Sequence, residues 1–203
     1  MTFYVENTSN EPKFKPVPVG SHLGRCYRII DLGTQKGEFN GQITIGRKLM
    51  IGWELFGKDK TGTPLLTDKG DPMAVFKNYT LSWHEKSNLR VDLQAWRGEG
   101  FTEQEMKKFN LESILGDYCM LNIIHRTGTT GKTYSNVESV SPVPNLILEM
   151  GLPKPVNKTQ IFKISDPDME LFETLGKGTR EKIEGSPEWK ARGQNSSKDS
   201  MPF

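Results

Sequence analysis

The chain has 203 residues, enough for one domain with appendages or for two small ones. Apolar residues make up 34% of it, with four Trp and ten Phe, which excludes a chain too polar to build a core. The net charge of +2 excludes a partner announced by bulk charge, so any nucleic-acid role must come from where the cations sit.

Residues 20–97 carry 12 Lys/Arg against 8 Asp/Glu, whereas 163–175 sets Lys163 against Asp166, Asp168, Glu170 and Glu173. A mildly basic first half and a late acidic patch suit a groove for phosphates with a separate partner surface. Cys26 and Cys119 form no C-x-x-C pair and sit in apolar strand patterns, so both are expected as buried free thiols. The start, Met-Thr-Phe-Tyr-Val-Glu-Asn, lacks the basic patch and apolar run of a signal peptide. No apolar run approaches the roughly 20 residues of a membrane span, and the expected location is the cytoplasm.

In chain order, residues 1–19 read as an extended arm, because Pro12, Pro16 and Pro18 alternate with Lys13, Phe14 and Lys15. Leu23–Leu32 is expected as strand one; its mixed parity fits a bulge or cover on both faces. Gly33–Gly41 reads as a turn-rich loop around Phe39. Strand two, Gln42–Phe56, has Ile43, Ile45, Leu49, Ile51, Trp53 and Leu55 on one parity and Lys48, Met50, Gly52, Glu54 and Phe56 on the other. Period two predicts a core face and an exposed face, with Trp53 in the core.

Lys58–Pro72 is a polar loop long enough to be a flap, and Ala74–Trp83 is strand three. Ser87 offers an N-cap to a helix whose Leu89, Leu93 and Trp96 share one face. Thr102 and Glu105 spell a capping box for a second helix. Asp117–Arg126 and Lys132–Val140 make a hairpin around a Gly-containing turn. Residues 142–192 then read as a proline-rich connector with a helical extension, in which Asp166-Pro167 and Ser186-Pro187 start helices. Residues 193–203 are polar and expected as a disordered tail ending in Met201-Pro202-Phe203.

Three strands, a helix and two strands is the order of a small barrel that binds oligonucleotides. The expected fold is therefore mainly β with α additions. Residues 20–141 would form a five-stranded oligonucleotide-binding (OB) barrel, with a helix between strands three and four. No catalytic motif competes. Gly131-Lys132-Thr133 approaches a phosphate-binding loop, yet Arg126 stands where its first glycine belongs and a strand follows instead of a helix. His22, His84 and His125 lack metal-ligand spacing, and no cofactor is expected.

Binding of single strands needs cations along the backbone path and flat rings for the bases. The candidates are Phe39 in the first loop, Lys48 and Phe56 on the exposed parity of strand two, and Lys77, Tyr79 and Trp83 on strand three. Arg126, Lys132 and Tyr134 on the last hairpin complete the set. Tyr79 and Trp83 share parity with Val75 and Leu81, so core packing and base stacking both stay open for them. A terminal ring and carboxylate on a tail make a compact ligand, so Met201, Pro202 and Phe203 are candidates for contacting a partner.

The chain resembles phage- and prophage-encoded single-stranded DNA-binding proteins with an OB barrel. The likeness is carried by Gly20-Ser21-His22-Leu23, Ile51-Gly52-Trp53-Glu54-Leu55 and Phe76-Lys77-Asn78-Tyr79-Thr80-Leu81-Ser82. It continues in Leu93-Gln94-Ala95-Trp96-Arg97-Gly98 and Gly131-Lys132-Thr133-Tyr134-Ser135-Asn136-Val137. The resemblance implies sequence-independent binding of single-stranded DNA in phage replication or recombination inside a bacterial cell. Replication or recombination enzymes would be partners through the C-terminal tip, and a homodimer is allowed. The other class open at this point is a protein-interaction module, in which the acidic segment 166–175 or the tip docks on a host or phage protein.

Overall fold

The computed structural model describes residues 15–39, 41–128 and 130–196. Six strands form one sheet: β1 (Gly20–Phe39), β2 (Gln42–Phe56), β3 (Ala74–Thr80), β4 (Tyr118–Thr127), β5 (Thr133–Ser141) and β6 (Gln160–Phe162). Its path is β3-β2-β1-β4-β5, antiparallel throughout, with β6 added parallel to β1. The helices are α1 (Asn88–Arg97), α2 (Glu103–Lys108), α3 (Asn145–Met150), α4 (Met169–Thr174), α5 (Lys177–Gly185) and α6 (Pro187–Ser196). The protein is thus mainly β with helical additions. Among the described residues no backbone ladder joins β3 to β5, and the sheet is open along that seam. No described helix is long and apolar enough to cross a membrane.

β1 is longer than its sequence suggests. The segment expected as a loop from Gly33 continues the strand to Phe39, and Gly41 lies in the turn that leads into β2. The expected bulge is present twice, as register shifts between Cys26 and Arg28 and between Asp31 and Gly33. Gly33 has φ +69°, and a Cβ there would meet Ser186 at 2.5 Å, so both conformation and space require glycine. β1 pairs with β4 over Gly20–Arg25 and with β6 over Arg28–Ile30, so β6 covers the edge where β4 leaves it. Beyond Gly33 it pairs only with β2, and the two make a projecting ribbon.

The sheet separates two apolar clusters. Inside lie Cys26, Ile29, Leu49, Ile51, Trp53, Leu55 and Val75, closed by Leu89 and Leu93 of α1 and by Leu121 and Val137 of the last hairpin. On the outer side, Ile30, Leu32 and Met50 meet Phe162, Ile164, Phe172 and Ile183 of the C-terminal segment. There the Phe172 and Trp189 rings stack at 5.0 Å and 14°. Both cysteines are buried and free as expected, and burial pushes the Cys26 thiol up to about 12.

Several expectations are corrected. Ile43 and Ile45, assigned to the core, are 77% and 68% exposed, because they lie on the ribbon beyond the core's edge. Glu54, assigned to the exposed parity, is fully buried, because the C-terminal segment covers that face. The 58–72 loop is organised by the bridges Lys58–Pro64 and Leu66–Pro72, with Leu65 buried beneath it, and is not a free flap. α4 is capped by Asp168, whose carboxylate accepts from Leu171 N at 2.9 Å, and not by Asp166. α6 runs on to Ser196, past the expected start of the tail at Gly193. The Thr102–Glu105 capping box forms as read.

Candidate nucleic-acid interface

The register of β2 with β3 decides which side chains of β3 look outward. Leu49, Ile51 and Trp53 point into the core, and opposite them stand Tyr79, Lys77 and Val75. Phe76, Asn78 and Thr80 therefore take the outer face. Of the two readings open for Tyr79, core packing is the one that holds, and Lys77, expected on the exposed side, points inward with it. Tyr79 is 3% exposed, and its hydroxyl donates to Asp92 Oδ2 at 2.7 Å. Lys77 Nζ donates to the same oxygen at 2.6 Å and lies over the Tyr79 ring at 5.4 Å. These two candidates fix α1 to β3. Burial, with Asp92 beside it, pushes the Tyr79 hydroxyl far above its usual range, so it stays a neutral donor.

The other expected residues are dispersed. Trp83 follows β3 and is half-buried, edge-on to Phe101 at 5.2 Å and to Phe109 at 5.5 Å. It seals the core between β3 and α2 and is not an open platform. Phe56 is half-buried at the far end of β2, its ring 5.9 Å from that of Tyr118. Lys48 Nζ donates to Thr80 Oγ1 on the outer face. Arg126 is exposed and pairs with Glu138 at 2.9 Å. Lys132 and Tyr134 are exposed beside the β4–β5 turn, Tyr134 at 48%. Phe39 is described in its backbone only, as the last residue of β1. Met201, Pro202 and Phe203 lie outside the described residues.

The outer face has its own ring cluster, which the sequence reading missed. Phe76 is 39% exposed and lies against Gly52, where a Cβ would meet the ring at 2.5 Å. Glycine at that position of β2 lets the phenyl ring rest on the sheet. Tyr27, at the first bulge of β1, meets Phe76 edge-on at 6.3 Å and 61°. The Arg28 guanidinium lies 5.2 Å from the Tyr27 ring centre and donates from Nε to Gln160 Oε1 at 2.8 Å. Tyr27 is itself buried, so the result is one exposed ring, Phe76, held in place with a cation nearby, the combination that stacks bases and meets phosphates. The Phe-x-Asn-x-Thr alternation was the available signal. The mixed Val-Lys-Tyr-Leu parity obscured it, because the partner that draws Lys77 inward is on a helix fifteen residues away.

Beside Phe76 the open seam forms a cleft of about 580 Å³ between β3, α1 and β5. The acidic segment 166–175 turns Leu171, Phe172 and Leu175 inward, where they cover the sheet. Compared with known proteins, the chain matches no family model and no curated protein.

Proposed function

We propose that the chain is a non-catalytic binder of single-stranded nucleic acid built on an OB-type barrel. The path β3-β2-β1-β4-β5, with α1 between β3 and β4, is the strand order of such a barrel opened along one seam. In that architecture the strand 2–3 face and the loops between strands 1–2 and 4–5 receive the oligonucleotide. The observation that carries the reading is the Phe76–Tyr27–Arg28 cluster on that same face. Within this class we read the particular activity as coating of single-stranded DNA during phage replication or recombination. The same reading assigns recruitment of replication enzymes to the Met201-Pro202-Phe203 tip. A tip-deleted chain should then bind oligonucleotides as well as the full chain does.

The test is a fluorescence-anisotropy titration of a labelled oligonucleotide at low and moderate salt. Single strands should bind more tightly than a blunt duplex of equal length, because no helix is presented for a groove. Phe76→Ala should weaken binding by about 1–3 kcal/mol, the worth of one base–aromatic stack. Equal affinity for the duplex would reject the proposal.

A further inference from the structure

The cleft at the β3–β5 seam is lined by Phe76, Asn78, Asn88, Val91, Arg126 and Asn136 around the Lys77–Asp92 pair. Its volume of about 580 Å³ falls within the roughly 300–1,000 Å³ of small-ligand sites. Its charges are already matched. Asp92 accepts from both Lys77 and Tyr79, and Glu138 accepts from Arg126. A cleft whose cations and carboxylates neutralise one another suits an uncharged ligand better than a metal ion or a bare phosphate. Three carboxamides, Asn78 on β3, Asn88 at the start of α1 and Asn136 on β5, converge on it. Their side chains make no hydrogen bond to any other described residue.

We propose that this cleft reads one nucleobase of the bound strand, with adenine as the preferred base. The proposal rests on the single-strand-binding reading and adds one selective subsite to an otherwise sequence-tolerant footprint. A carboxamide offers a coplanar donor and acceptor, which match the N6 donor and N7 acceptor of adenine. The Phe76 ring, held by Gly52 behind it and Tyr27 at its edge, supplies the stacking surface. Arg126 stands at the rim in an exposed ion pair, and such pairs are weak enough to open toward a passing phosphate.

The experiment compares short oligothymidylates with the same strands carrying deoxyadenosine at their central positions, by anisotropy. The wild-type chain should bind the adenine-containing strand about fivefold or more tightly, the lower bound for one bidentate contact. Asn78→Leu and Asn136→Leu should abolish that advantage while leaving oligothymidylate affinity and melting temperature in place. Val91→Trp, at an exposed position of α1 that lines the cleft, narrows it without replacing an amide and should abolish the advantage too. Equal wild-type affinity for both strands would overturn the base-reading cleft and leave single-strand binding standing. Loss of oligothymidylate binding in the Asn→Leu variants would also overturn it, since the amides would then hold the backbone. Failure of the wild-type chain to bind either strand would overturn both.

Discussion

Replacing Glu54 by alanine should cost about 3–5 kcal/mol of folding stability, the range for removing one partner of a buried ion pair. Glu54 is fully buried and Arg25 nearly so. Oε1 accepts from Arg25 Nη1 at 2.8 Å, and Oε2 accepts from the backbone N and the side-chain Nδ2 of Asn157, each at 2.8 Å. Without the carboxylate, the guanidinium keeps only the Asn157 carbonyl at 3.1 Å, and the Asn157 N–H loses its acceptor. An unsatisfied buried amide costs about 1–3 kcal/mol, and the half-buried Asn157 falls toward the low end because water can reach it. That loss is coupled to the first through shared partners and does not simply add. The double variant Arg25→Met/Glu54→Leu should recover much of the loss, since apolar replacement of a whole buried pair is often neutral. Recovery should stop short of wild type, because Asn157 remains unpaired. Urea unfolding of the three variants measures this. A loss below about 1 kcal/mol for Glu54→Ala would mean that water reaches the site. It would also mean that the C-terminal segment does not seal the sheet there.

Trp53→Ala should destabilise by about 3–5 kcal/mol as a core truncation, whereas Ile43→Ala and Ile45→Ala on the projecting ribbon should stay within about 0.5 kcal/mol in the same urea assay. Cys26 and Cys119 should resist iodoacetamide until the chain unfolds. Burial holds the folded Cys26 thiol at about 12, above the roughly 8.5 of a free thiol. The unfolded chain therefore releases protons first, and stability should fall as pH rises through that window. Glu105 should titrate at about 2 by NMR, held down by Thr102 N–H and then by Arg97. Its capping contribution is full above the ordinary carboxylate range and is lost as pH falls through about 2. A value near 4.3 would show that the capping box is open in solution.

What could be read from sequence was what is local. The Thr102–Glu105 box depends on residues three apart, and it forms. The alternation of β2 correctly puts Leu49, Ile51, Trp53 and Leu55 inside. Alternation cannot say whether the opposite face is wet, however. Glu54 meets Asn157, 103 positions away, and nothing near Glu54 announces it. Nor does alternation show where a core ends, so Ile43 and Ile45 carry the pattern past the body of the sheet. Ser87 stands at the expected N-cap, yet its side chain makes no cap bond there. β6 has three residues and α5 buries only Ile183, too little apolar patterning in either to be read in advance. The candidate site was legible as a composition, rings interleaved with cations, but not as positions, because the parity of β3 follows from Asp92 on α1.

The pairing of the cations also bears on how the interface would work. Arg25, Lys77 and Arg97 are held by Glu54, Asp92, and Glu99 with Glu105, and Arg47 is held by Asp31. Arg28 is engaged by Gln160. A surface whose cations are already committed releases few counterions on meeting a phosphate backbone, so the salt slope of binding should be on the order of a few. Most of the affinity must then come from contacts that salt does not screen, stacking on Phe76 first among them. The C-terminal segment reinforces this by covering the outer face around Ile30, Leu32 and Met50 while β6 occupies the edge of β1. A strand approaching the sheet is thereby directed toward β3 and the open seam. A steep salt slope with Phe76→Ala unaffected would place the strand instead on the exposed cations Arg126 and Lys132 of the last hairpin.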